Sequence, residues 1–188
     1  MKQSAGLLVY RRKNGQLEVL IAHMGGPFHA SKDAGHWSIP KGEYEPGEDP
    51  KAAARREFKE ELAKGIPDGD WQELGSIKYK NGKQVSAWAV EGDLDADSIK
   101  SNSVEIEWPP RSGKKQRFPE IDRAGWFYLT TAAHKLVPAQ AEFLRRLAEL
   151  LNVELPAPWN ARQGRADKVD STGPAGAPEP KVDQGSLF

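Results

Sequence analysis

Three glutamates, Glu57, Glu60 and Glu61, stand at i, i+3 and i+4 in the run Arg56-Glu57-Phe58-Lys59-Glu60-Glu61. On a helix turning about 100° per residue, their carboxylates fall within one narrow arc of one face. Like charges this close repel. A hard divalent cation such as Mg²⁺ removes the repulsion, because it prefers oxygen ligands and keeps several waters that phosphate oxygens can replace.

A helix must hold these carboxylates in place, and the sequence marks one from about Pro50 to Lys64. Asp49 can cap free backbone N–H groups, and Pro50 suits the first helical position. Ala54, Phe58 and Leu62 form an apolar stripe that can dock the helix onto a sheet. Arg56 lies one turn before Glu60 and can reach back to Glu48, orienting the loop ahead of the helix. The competing reading is a solvated helix with weak surface ion pairs. The flanking glycines favour the first reading.

The stretch Gly42–Glu61, GEYEPGEDPKAAARREFKEE, resembles the Nudix box, G-x5-E-x7-R-E-U-x-E-E-x-G-U, where U is a bulky aliphatic residue. Gly42, Glu48, Arg56, Glu57, Glu60 and Glu61 all fall on its positions without a gap. Phe58 replaces the aliphatic residue, and Ala63 and Lys64 occupy the final glycine and aliphatic positions. Gly65 and Ile66 are expected to supply both functions two residues later, after a slightly longer helix. The resemblance implies an α/β/α fold and attack of water on phosphorus in a substrate built on a nucleoside diphosphate, with Mg²⁺ (or Mn²⁺). It places the metal ligands on Glu57, Glu60 and Glu61, with the carbonyl around Lys41 as a further candidate. It implies that either one of these glutamates or a later carboxylate is the general base, and Arg56 joins them as a catalytic candidate. Glu120, just before a Trp126-Phe127 strand, is that later carboxylate, and an ordinary loop glutamate is the other reading.

Trp37-Ser38-Ile39-Pro40-Lys41-Gly42 is similar to the W-x-x-P-K-G lead-in of family members acting on dinucleoside polyphosphates, which implies that Lys41 lies near the phosphate chain. In WPPRSGKKQRFPE, the cations Arg111, Lys114, Lys115 and Arg117 concentrate in a loop leading to Glu120. A clamp on distal phosphates and a merely solvated loop are both open readings. Trp108 could stack on a purine. His29 and His36 read as loop residues that can line the pocket.

With 188 residues, 27 basic and 27 acidic, and no cysteine, the chain suits one domain plus a tail. Zero net charge argues against broad attraction to nucleic acid or membrane, and the missing cysteine excludes thiol chemistry. No apolar run is long enough for a membrane helix, so the expected location is the cytoplasm. Strand patterns at Ser4–Tyr10 and Leu17–Met24 join through Asn14-Gly15, and Gln72–Tyr79 and Gln84–Glu91 flank Asn81-Gly82. Gly125–Leu129 reads as a last strand. Helical patterns lie at Thr131–Leu136 and Ala139–Leu151. The whole reads as a Nudix-type α/β/α sandwich with a mixed central sheet over residues 1–155. Residues 156–188 are Pro/Gly/Ala-rich and are expected to be disordered. The terminal Gln184-Gly185-Ser186-Leu187-Phe188 is similar to the short peptide with which bacterial repair proteins dock into the sliding clamp, with Gly185 departing from the usual leucine. Two functions stay open: a Mg²⁺-dependent hydrolase of a dinucleoside polyphosphate or nucleoside triphosphate, and a non-catalytic module that senses such a ligand or binds a partner.

Overall fold

The computed structural model describes residues 2–156 and Trp159. Of the expected disordered tail only Pro156 and Trp159 are described, and Trp159 packs against the core instead of standing free; the rest of it, with the clamp-like Gln184–Phe188, lies outside the described residues. A mixed sheet runs through the molecule in the order β3 (Trp37–Ser38), β2 (Gln16–Met24), β1 (Gln3–Lys13), β6 (Gln84–Glu91), β5 (Gln72–Lys78). β4 (Lys41–Glu43) adds to β1, and β9 (Ile121–Tyr128) adds to β2. β1 pairs in parallel with β6 and antiparallel with β2 and β4.

Alternation along the central strands splits the core in two. Leu7, Val9, Leu20 and Ala22 meet Phe58 and Leu62 of α1 (Pro50–Leu62) on one face. Leu8, Tyr10, Val19 and Ile21 meet Leu129 and Ala132 of α2 (Leu129–Lys135) and Phe143, Leu144 and Leu147 of α3 (Ala141–Leu150) on the other. Successive side chains of a strand point to opposite faces, so covering both with helices buries every residue from Ser4 to Tyr10. The result is the expected α/β/α sandwich. Among the described residues no helix is long and apolar enough to cross a membrane.

Several boundaries differ from the sequence reading. α1 stops at Leu62, and Ala63 itself takes the left-handed conformation (φ 50°, ψ 36°) with its N–H on the Lys59 carbonyl. Gly65 is therefore not the terminator. The family's glycine position keeps its geometry even though an alanine occupies it, at the steric cost a Cβ brings. β9 begins at Ile121, four residues before the expected Gly125, because Ile121 is buried and Asp122 bonds the interior His23. The basic segment is half strand: β7 (Ser103–Glu107) and β8 (Lys115–Pro119) form a separate antiparallel hairpin. β4 has no signal in the sequence, since Lys41-Gly42-Glu43 carries no apolar alternation.

Candidate active site

α1 lays its acidic flank against the turn into β4. Asp49 caps the helix by accepting from the N–H groups of Lys51 and Ala52, and Ala53, Ala54, Phe58 and Leu62 hold it on the sheet. Gly42 lies directly beneath Glu57, and a methyl group at position 42 would overlap the Glu57 carboxylate. Glycine is required here by the closeness of helix and strand.

Lys41 supplies two backbone groups. It lies opposite Gly6 of β1, and the Leu7 N–H donates to the Pro40 carbonyl at 3.0 Å. This makes Gly6 and Lys41 a pair that does not bond to each other, so the N–H and C=O of Lys41 both point away from β1. That N–H donates to Glu61 Oε2 at 2.7 Å, and the carbonyl points to the same side.

Arg56 is the hub of the acidic cluster. Its guanidinium contacts Glu57 Oε1 at 2.5 Å, Glu48 Oε1 at 3.2 Å and Glu60 Oε2 at 3.6 Å, and donates to the Glu43 carbonyl at 3.3 Å. Both expected contacts, to Glu60 and back to Glu48, are present. The contact to Glu57 is an addition to them, because adjacent helical residues do not usually face each other.

Burial pushes the Glu61 carboxyl up to about 8; the Lys41 ammonium and the Lys41 N–H bond oppose this, while the charges of Glu57 and Glu120 add to it. Burial also raises Glu57, partly offset by Arg56 and reinforced by Glu60 and Glu120. Burial draws the Lys41 ammonium down against the pull of Glu61 and Glu57, with Lys83 adding to the fall. Glu120 therefore lies within electrostatic reach of Glu57 and Glu61. It is exposed, in the turn between β8 and β9, and its backbone is fixed by the N–H of Gly25 on its carbonyl and its own N–H on the Asn102 carbonyl, both at 2.8 Å.

The other basic residues are more distant. Lys115 faces Glu107 across the hairpin, and Arg117 faces Glu105, with an ion pair of 3.6 Å. Arg111 and Lys114 occupy the hairpin tip, and from Lys115 to Glu120 runs roughly 16 Å of extended chain. Trp108 packs edge-on against Phe28, with ring centroids 5.3 Å apart. His29 and His36 meet through their Nδ1 atoms at 2.9 Å.

The donors gathered under α1 are carboxylate and carbonyl oxygens, the set a hard cation takes. As the side chains stand, no three acidic or histidine groups among the described residues are close enough together to hold an ion. Arg56 draws Glu57 and Glu60 to itself, and the Lys41 N–H holds Glu61. The donor set, oxygens of three glutamates on one helix flank with the Lys41 carbonyl beside Glu61, is that of a hard divalent cation, and in that sense these residues fit one once Glu57 and Glu60 leave Arg56.

A sequence model of the NUDIX domain matches residues 1–147. The chain belongs to the Nudix family. It is similar to the asymmetrical bis(5′-nucleosyl)-tetraphosphatase of Caenorhabditis elegans, with 44% identity over 59 residues. That match spans 31% of this chain and 38% of the nematode protein. The Sus scrofa enzyme of the same name is 30% identical over 133 residues, which cover 65% of this chain and 81% of that one. A crystal structure of a C. elegans Ap4A hydrolase binary complex superposes with a TM-score of 0.54 and 26% identity, covering 81% of this chain and 98% of that chain.

This Nudix chain is accordingly a hydrolase acting on phosphoric anhydride bonds. Its fold brings Lys41, Arg56, Glu57, Glu61 and Glu120 together and leaves Arg111, Lys114 and Lys115 at the far end of a hairpin. Sequence reasoning missed Lys83, which comes after the Asn81-Gly82 turn and holds Glu43 at 3.0 Å. A lone lysine after a turn carries no signal that it will meet a strand 40 residues earlier.

Proposed function

We propose that this Nudix hydrolase uses Mg²⁺ (or Mn²⁺) to split a dinucleoside polyphosphate of the bis(5′-nucleosyl) tetraphosphate class, with nucleoside triphosphates as the next candidates. The observation that carries the reading is the convergence of Glu57, Glu61 and Glu120 at the Lys41 turn, in a chain 30% identical over 133 residues to a tetraphosphatase. Glu57, Glu60, Glu61 and the Lys41 carbonyl would hold the cation. When bound, it offsets charge on the polyphosphate and makes an attached water more acidic.

The chain's own residues do the rest. Arg56 keeps Glu48, Glu57 and Glu60 in reach of one another, and the Lys41 N–H fixes the Glu61 carboxylate. Lys41 places a positive charge beside the phosphate chain, and Arg111, Lys114, Lys115 and Arg117 can reach only the distal part of a long substrate. Water adds to phosphorus, the P–O bond to the bridging oxygen breaks with its electron pair leaving on the departing phosphate, and the water's proton passes to a carboxylate, for which Glu120 is the candidate. A screen of the purified protein against nucleoside triphosphates, dinucleoside polyphosphates and nucleotide sugars tests the reading. Fastest turnover of a dinucleoside tetraphosphate supports it, whereas a preference for a nucleotide sugar contradicts the substrate class. Binding without turnover would favour the sensing module.

A further inference from the structure

Far from the acidic cluster in sequence, Gln140 is fully buried in the 3₁₀ turn Pro138–Gln140 that leads into α3. A carboxamide is costly to bury unless its donors and acceptor are paired, and here they are. Oε1 accepts the Ile39 N–H at 2.8 Å, and Nε2 donates to Ser38 Oγ at 2.9 Å and to the Tyr79 hydroxyl at 2.7 Å. Ser38 Oγ in turn donates to the Ile39 carbonyl at 2.8 Å. Beside this contact the Val137 N–H donates to the Trp37 carbonyl at 2.8 Å. The segment before α3 thus runs along Trp37–Ile39 and grips it through backbone and side chain.

Ile39 leads directly into the active-site turn. Pro40 has no N–H, so the Ile39 N–H is the last backbone donor before Lys41. The Pro40 carbonyl is tied to Leu7 at 3.0 Å, and the Lys41 N–H reaches Glu61 at 2.7 Å. Each peptide from Ser38 to Lys41 therefore has a fixed partner, and Gln140 holds the upstream end. The geometry points to Gln140 as a positioning residue that sets, through Ile39-Pro40, where the Lys41 N–H and carbonyl stand relative to Glu61. The inference rests on the metal-dependent reading of the site.

The test compares wild-type protein with Gln140→Met, which keeps the volume and removes the acceptor, and Gln140→Glu, which keeps the acceptor. In Gln140→Glu the protonated carboxyl can donate to Ser38 Oγ as Nε2 does, which leaves Ser38 donating to the Ile39 carbonyl, and the Tyr79 hydroxyl can turn and donate instead of accepting. Three quantities are measured: amide hydrogen exchange at Ile39 and Lys41 in metal-free protein, Mn²⁺ affinity by calorimetry without substrate, and kcat and KM separately. For Gln140→Met the expected result is faster exchange at both amides, a roughly tenfold weaker Mn²⁺ Kd and a similar fall in kcat, with KM within about twofold. Gln140→Glu should recover most of each. A folded Gln140→Met with wild-type exchange at Lys41 and wild-type Mn²⁺ affinity would overturn the inference, as would Gln140→Glu no better than Gln140→Met. Should Gln140→Met fail to fold, Tyr79→Phe removes one of the two acceptors that hold the carboxamide while leaving the Ile39 N–H its acceptor and the Ile39 carbonyl its Ser38 donor. Weakened Mn²⁺ binding is then expected, and unchanged binding overturns the idea. Wild-type protein that binds no Mn²⁺ would sink the metal reading and this inference with it, whereas wild-type binding matched by Gln140→Met sinks this inference alone.

Discussion

Glu61 is the residue on which folding and chemistry pull in opposite directions. Its carboxyl lies at about 8 in the fold against an ordinary 4.5, so between those values the folded chain holds more protons than the unfolded one. Stability contributed at this site is complete below about 4.5 and is lost as pH rises toward 8. At pH 7 the penalty is of the order of 3 kcal/mol, taking about 1.4 kcal/mol per pKa unit. Glu61→Gln removes it while keeping an acceptor for the Lys41 N–H. The metal-free variant should therefore melt above wild type at pH 8 and close to it at pH 4.5, and thermal melts across that range check this. A variant less stable than wild type at pH 8 would mean that the carboxylate is better accommodated than its burial indicates. Of the site residues, the box acids and Arg56 were legible because their spacing on a helix dictates a shared flank. Gln140 was not, since one glutamine between two alanines says nothing of a partner 101 positions earlier.

Elements with strong patterning could be read in advance, and those held by context could not. β1 and β2 are apolar and meet at Asn14-Gly15, whose positive φ angles of 52° and 76° suit a two-residue turn. β8, by contrast, reads Lys-Gln-Arg-Phe-Pro, too polar to declare itself; it is a strand because it pairs with β7, and Phe118 and Ile106 lie over Gly26. At the end of α1, Ala63 sits at φ 50°, a conformation costing an L-residue roughly 1 kcal/mol. Ala63→Gly should raise unfolding free energy by about 0.5–1 kcal/mol, as urea denaturation would reveal; a loss of stability would show that the alanine methyl makes a contact worth more than the strain. For the hairpin, replacing Arg111, Lys114, Lys115 and Arg117 by glutamine should weaken binding of long polyphosphate substrates several-fold more than short ones. Comparing KM across chain lengths checks this, and an equal loss at every length would indicate general electrostatics.

At the scale of the whole molecule, both faces of the sheet are closed by α1 on one side and by α2 and α3 on the other, and every candidate site residue, Gln140 included, precedes α3. Trp159 packs against the α3-side core. Truncation after Trp159 should therefore leave kcat and KM within about twofold and the melting temperature within a few degrees; a larger fall would assign the last residues a part in the active site. The central claim is metal-dependent hydrolysis at the acidic flank of α1, and the most direct measurement is product analysis with Ap4A as substrate, with Mg²⁺, with EDTA, and with Glu57→Gln. Asymmetrical cleavage leaves a nucleoside triphosphate and a monophosphate, so the account predicts ATP and AMP in equal amounts with Mg²⁺, none with EDTA, and at least about a hundredfold slower release from a folded Glu57→Gln. Wild-type rates from Glu57→Gln, or turnover that persists in EDTA, would contradict it.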